Sequence, residues 1–346
     1  MAQINKSSEY FNTKLYTGNG STNAITGVNF QPDLVWIKSR SVIRDHVLTD
    51  SVRGIASQIH SNTTDAESTY TNDVTSFDSD GFTVSTDSDV NGNTYTYASW
   101  NWLGANGTAS NTDGSITSTV SANTTSGFSI VSYTGNSTDS TIGHGLGQKP
   151  DFIMVKERDS SSYDWVCYHS ALGAGYAIAL NLTDAAYGAT GWNNSTEPTS
   201  TVFSVDSAAN SVNKSGSGFI AYCFAEKKGF SKFGSYTGNG NADGAFIYTG
   251  FKPAFIMIKK TSSTASWYIN DNKRSSSGGF NVSDEYLRPD LSNGTGTDQN
   301  GGDFLSNGFK LRNSDTDYNA SSATYIYMAF AEQPLVGTNN IPATAR

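Results

Sequence analysis

The chain has 346 residues, of which 15% are charged and 12% aromatic, with a net charge of −9. Aromatics at that level in a polar background argue for a folded protein and against disorder. The acidic balance, without a basic run, argues against a nucleic acid or an anionic membrane as partner. From the N-terminus, Met-Ala-Gln-Ile-Asn-Lys lacks the apolar stretch of a signal peptide, and no segment approaches a transmembrane span. The expectation is a protein made in a cytoplasm and not inserted in a membrane.

One pattern then recurs three times. Tyr-Thr-Gly-Asn stands at 16–19, 133–136 and 236–239, 117 and then 103 residues apart. A proline follows each at a matched offset, Pro32, Pro150 and Pro253, and after each proline an apolar run ends in lysine, at Lys38, Lys156 and Lys259. Next comes a short segment, His46–Asp50, Trp165–His169 and Trp267–Asp271. A strand then opens on Phe82, Phe203 or Phe309, and a closing strand lies at 95–102, 219–226 or 325–332. The apolar segments run four to eight residues, are rich in β-branched and aromatic types, and are separated by turn-formers.

That rhythm predicts an all-β protein of three tandem antiparallel β-sandwich units, each with room for about seven or eight strands. The lysine-ended runs, apolar on both faces, are expected as central strands. The best helical candidate, Ser51–Ile59, is barely two turns long. The units are placed at 1–106, 107–229 and 230–346, with a Gly/Ser/Thr-rich connector over 104–127 and an exposed tail from about 334. The connector reads as a flexible linker or as an arm that orders against a neighbour. Glu226-Lys227-Lys228-Gly229 reads as a hairpin-like joint between units, and Gly18-Asn19-Gly20 as a hairpin turn rather than a phosphate loop.

Few residues suggest chemistry. His46 and His169 sit in the same repeated segment at different offsets, and no partner recurs beside them; His60 and His144 lie in a loop and a turn. All four read as structural. Asp78, Asp80, Asp87 and Asp89 offer the carboxylates of a glycosidase pair, but acidic residues at strand ends are usually turn-formers. Calcium stays open as a ligand of such loops, and no other cofactor is expected. Cys167 falls in a core-facing slot and Cys223 in one that takes only small residues, and both read as buried free thiols. Trp192 lies in a polar loop, Gly191-Trp192-Asn193-Asn194-Ser195, and a ring flanked by amides suits a sugar. Trp192, Asn193 and Asn194 are therefore the candidate carbohydrate-binding residues, against the plainer reading that Trp192 caps the sandwich.

Several phrases are familiar as a set: Asn111-Thr112-Asp113-Gly114-Ser115-Ile116 with Gly127-Phe128-Ser129-Ile130-Val131; Ile220-Ala221-Tyr222-Cys223-Phe224-Ala225-Glu226; Phe304-Leu305-Ser306-Asn307-Gly308-Phe309; and Ala329-Phe330-Ala331-Glu332. Together they resemble a family of repeat-containing, tail-fibre-like virion proteins of tailed phages of marine bacteria, from about Tyr10 to Arg346. The resemblance implies a concanavalin-like or jelly-roll-like sandwich, a place on the virion, and other virion proteins as partners. It carries over no catalytic residue. The first repeat opens by Tyr10, so a docking segment and a long shaft are not expected. Three roles follow as expectations: a non-enzymatic fibre or appendage tip contacting a host surface glycan, a capsid-decorating protein with a pseudo-threefold body, and a polysaccharide hydrolase. A homotrimer is compatible with the first.

Overall fold

The computed structural model describes residues 3–188, 191–192, 195–275, 281–297 and 301–336. It is an all-β sandwich protein built from several antiparallel sheets. Three sheets share one strand order. In the first, Phe11–Thr17, Thr96–Trp102, Leu34–Ser39 and Val47–Asp50 lie side by side. Ser231–Thr237, Thr324–Pro334, Phe251–Lys260 and Trp267–Asp271 repeat the order near the C-terminus. Phe128–Thr134, Gly218–Phe224, Phe152–Glu157 and Val166–His169 repeat it in the middle of an eight-stranded sheet. A smaller sheet covers one face of each: Asn23–Thr26, Gly81–Val84 and Val74–Asp78 in the first unit, Ser140–Gly143 with Val202–Val205 in the second. Phe246–Tyr248, Gly308–Lys310, Gly302–Leu305 and Val282–Ser283 form that of the third.

The lysine-ended strands show why their runs are wholly apolar. Successive side chains point to opposite faces of a strand. Leu34, Trp36, Phe152, Met154, Phe255 and Met257 all enter one large core shared by the three units. Their neighbours Val35 and Ile37, Ile153 and Val155, and Ile256 and Ile258 enter three separate sandwich cores. Both faces are buried, so no alternation is left to read. The units close on each other in a cycle. Tyr222 of the second donates to Asp50 of the first at 2.8 Å, His169 of the second lies 3.1 Å from the Tyr327 carbonyl of the third, and Trp100 of the first donates to Asp271 of the third at 3.1 Å. Asp50, His169 and Asp271 stand at matched places in their sheets, each at the end of the strand beside the lysine-ended one, so the same edge of each unit meets the next.

The Tyr-Thr-Gly-Asn turns are crossovers from a large sheet to its small partner, not hairpins, because the strands on either side pair in different sheets. Each turn docks on a one-turn helix, α1 (Ser88–Asn91), α2 (Asn210–Asn213) or α3 (Thr316–Asn319). The fully buried amides of Asn91, Asn213 and Asn319 accept from the backbone N–H of Asn19, Asn136 and Asn239 at 3.1, 3.0 and 2.9 Å. Tyr16, Tyr133 and Tyr236 donate to carbonyls of the same helices at 2.6, 2.7 and 2.8 Å. The glycine is required for space. A Cβ on Gly18, Gly135 or Gly238 would lie 2.2, 2.4 or 2.3 Å from a backbone oxygen. Gly135→Ala is therefore expected to cost about 1–3 kcal/mol, the usual range for overpacking, read as a lower urea midpoint at unchanged slope.

Other expectations are corrected. The 226–229 joint is a turn, with Phe230 N–H donating to the Lys227 carbonyl, but the strands flanking it pair elsewhere and make no hairpin. The 104–127 segment is an ordered arm. Its strands Ala109–Asn111 and Ser118–Asn123 extend the second unit's sheet through pairing with Phe128–Thr134. Ser51–Ile59 contains no helix, and the three short helices lie where the periodicity was too brief to show. Pro334 ends the last strand rather than opening a tail, and residues 337–346 lie outside the described residues. Pro253 sits inside its strand at a register shift, the irregularity that tolerates a missing N–H.

Candidate functional site

The histidines are occupied structurally. Trp36 Nε1 donates to His46 Nδ1 at 2.9 Å, so neutral His46 carries its proton on Nε2 and offers it to the Arg288 carbonyl, also at 2.9 Å. Backbone N–H groups of Leu146 and Ala171 donate to Nδ1 of His144 and His169 in the same way. Burial pushes both of these imidazoles down to about 4, and holds His46 well below its usual value. His60 Nδ1 lies 2.8 Å from the His46 carbonyl. The lowered values keep the His46, His144 and His169 rings neutral near pH 7.

Three of the four acidic candidates accept local hydrogen bonds at turns and caps, and the fourth, Asp89, lies in α1 and pairs with Arg44 at 3.2 Å. Asp80 accepts from the N–H groups of Gly27 and Asn29, Asp87 caps α1 through the Asp89 N–H, and Asp78 accepts from the Thr83 hydroxyl. The carboxyl of neighbouring Asp73 is pushed up to about 8, first by burial and then by Asp87 and Asp89. No group of three or more His, Cys, Asp or Glu side chains that could hold a metal occurs among the described residues. Nor does any helix there have the length and apolarity to cross a membrane. Cys167 and Cys223 are buried free thiols, each with burial raising it above its usual value. They pair with adjacent residues Met154 and Ile153 of the intervening strand and enter different cores, so they face opposite sides of the sheet.

Trp192 is corrected as a sugar platform. It is 1% exposed and packs edge-on against Tyr168 at 6.0 Å inside the second unit's core, so its face is closed to a ligand. Asn193 and Asn194 lie outside the described residues.

A different place has the makings of a binding site. The loop after the first lysine-ended strand supplies Arg40, Ser41, Val42 and Ile43, and a long loop of the third unit supplies Tyr286, Arg288 and Asn293–Gly296. They enclose a cleft of about 350 Å³, within the size range of small-ligand sites. Backbone bonds lock the loops together: Thr295 N–H donates to the Arg40 carbonyl at 2.8 Å and Arg44 N–H to the Ser292 carbonyl at 3.0 Å. Lys38 Nζ, at the end of the repeated strand, reaches the Ser292 carbonyl at 3.1 Å. Tyr286 is held by paired backbone bonds with Gly296, whose absent side chain leaves room for the phenol ring.

The charges of the two arginines are met differently. Arg40 donates to Glu285 at 2.9 Å. Arg288 stands with its guanidinium carbon 5.2 and 5.1 Å from the rings of Tyr268 and Tyr286 and donates to both hydroxyls. Among the described residues no carboxylate lies within ion-pair distance of it. Burial works against its charge, but the two tyrosines and Asp290 together hold it above the usual arginine value. Arg40 Nε, Arg288 Nε and Thr295 Oγ1 are buried with no hydrogen-bond partner among the described residues. Sequence reading missed the cleft because its two loops meet only through the fold; Arg40 and its partner Glu285 are 245 residues apart.

Fold and site together define a three-bodied β-sandwich protein with a polar, cation-lined cleft at one junction between its units. The chain belongs to the DUF7483 family, a domain of unknown function, whose model matches residues 6–334 and so runs through all three units. No curated protein and no solved structure matches it.

Proposed function

We propose that this chain is a non-enzymatic virion structural protein, exposed on the particle as a fibre or appendage tip that contacts the host surface. The observation that carries the reading is how the side chains are divided between tasks. The residues that recur in all three copies are spent on the scaffold: the Tyr-Thr-Gly-Asn turns on α1, α2 and α3, and the buried lysines on neighbouring carbonyls. The cleft residues, by contrast, come from loops that differ between copies. A scaffold held constant while its loops vary is the usual construction of a binding protein. The phage-like phrases supply the virion setting. Purified protein incubated with host cells is expected to slow adsorption of the virus several-fold; unchanged adsorption, with no cell-bound protein, would count against host contact.

The cyclic closure of the three units favours a second reading, capsid decoration, because such a body matches a local threefold position of a lattice. Labelled antibody on intact particles separates the two: tail label supports the first reading and head label the second.

A further inference from the structure

We infer that the cleft between the first and third units is a saccharide-binding site, and that its ligand is an acidic sugar whose carboxylate is received by Arg288. The inference rests on the reading that the protein contacts a host surface. Arg40 and Arg288 are the charged residues lining the cleft, and both are cations in a chain of net charge −9. Arg40 already has Glu285, whereas Arg288, a lining residue, is held by the tyrosine hydroxyls and rings and has no carboxylate within ion-pair distance among the described residues. An arginine held rigidly in this way presents a planar fork that matches a carboxylate.

The rest of the lining chooses among anions. A divalent cation is disfavoured, since the lining offers it no carboxylate. An apolar ligand would leave the guanidinium and amide groups stripped of water and unpaired. A dense polyanion such as nucleic acid would be repelled by a chain of net charge −9 that has no basic run. A sugar bearing one carboxylate among neutral hydroxyls fits. Asn293, Ser41 and Thr295 offer amide and hydroxyl groups, and Gly294 and Gly296 bring bare backbone to the wall. The sparse charge and many hydroxyls of such a ligand correspond to a site with one cation lacking a carboxylate partner among the described residues and several neutral polar groups.

The test is calorimetric titration of the full chain with trigalacturonate, galactotriose and inorganic sulfate. Trigalacturonate is expected to bind at least about tenfold more tightly than either other probe, a ratio in keeping with one charge-assisted contact. Arg288→Gln should weaken it by about tenfold or more, and because Arg288 also packs on Tyr268 and Tyr286 its melting temperature is measured beside the binding. Asn293, exposed at the rim, supplies a variant that spares the fold. Asn293→Asp should weaken trigalacturonate and leave the weak galactotriose signal alone, while Lys6→Gln, remote and paired with Glu9, should change nothing. Sulfate binding as tightly as trigalacturonate would reduce the cleft to an anion hole and overturn the saccharide assignment. Absent trigalacturonate binding, or binding indifferent to both cleft variants, overturns the inference entirely. A protein that slows adsorption yet ignores all three probes leaves host contact standing and removes this site. One that binds trigalacturonate but never attaches to cells does the reverse.

Discussion

Replacing Trp102 with alanine is expected to destabilise the whole body by about 3–5 kcal/mol, the usual cost of emptying a large aromatic site. The loss should appear as one shifted transition, not as the melting of a single unit. Trp102 closes the last strand of the first unit, is 1% exposed, and sits where the three units meet. Its ring lies 5.0 Å from Phe11 of its own unit, 6.3 and 6.1 Å from Phe128 and Phe224 of the second, and 6.1 and 5.8 Å from Phe255 and Phe330 of the third. Alanine there removes contacts from all three at once, and surrounding rings held by β-sheets cannot collapse far into the gap. Trp102→Phe should cost much less, because the indole N–H is buried without a partner among the described residues and its removal strands nothing. Urea unfolding followed by circular dichroism and by tryptophan fluorescence checks both. Separate transitions, or a loss below about 1 kcal/mol, the common size for an ordinary substitution, would mean the shared core does not couple the units.

What the sequence disclosed and what it hid divide along the range of the interaction. The lysine-ended strands, the Phe82, Phe203 and Phe309 strands and the closing strands were legible, because each is a local run of strand-forming residues between turn-formers. The sandwich class follows from them. The second buried face of those runs was also visible in their lack of alternation, but not what covers it; a shared core of three units is a long-range fact. The Tyr-Thr-Gly-Asn turn was found and its partner was not. Asn91, Asn213 and Asn319 each stand five residues before a closing strand, a matched offset that an alignment anchored on apolar residues passes over. The polar neighbours of Trp192 leave both an exposed ring and one folded back onto the sandwich open in the sequence, and the buried ring is the outcome because a large ring has more to gain from burial than from water. The cleft gave no local signal. Arg40 and Arg288 are ordinary arginines in the sequence and become a site only when the third unit closes on the first.

The closing contacts themselves yield the other large effect. Arg53→Ala is expected to cost about 3–5 kcal/mol at neutral pH, as breaking a buried ion pair from one side does. Arg53 and Asp50 have fully buried side chains joined by a hydrogen-bonded ion pair. The same guanidinium donates to the Leu48 carbonyl at 2.9 Å, to Glu67 at 3.1 Å, and to Tyr222 of the second unit at 3.2 Å. Burial works to lower the Arg53 guanidinium, but Asp50, Tyr222 and Glu67 hold it above its usual value. Its loss leaves the Asp50 carboxylate in the junction with only Tyr222 and backbone donors. The third unit repeats the device with Arg274 and Asp271 against Trp100, whereas the second places neutral His169 against the Tyr327 carbonyl. The fold therefore accepts an uncharged junction at that position, and the cost of Arg53→Ala is mainly that of a stranded charge. Removing both charges, in Asp50→Asn with Arg53→Met, should accordingly recover part of the loss.

Acid gives the sign. Burial works to raise the Glu67 carboxyl, but Arg158 and Arg53 hold it below its usual value of 4.5. A carboxyl depressed in the folded state contributes stability above its unfolded value and loses it as the pH falls through the folded one. The wild type should weaken on the acid side of about 4.5, its unfolded value. Arg53→Ala has less of that contribution to lose, because one of the two arginines that hold Glu67 is gone. The gap between the two proteins should therefore narrow between pH 7 and pH 3 in matched urea titrations. A gap that stays constant, or widens, would show that Arg53 acts by packing alone and that the junction is not held by charge.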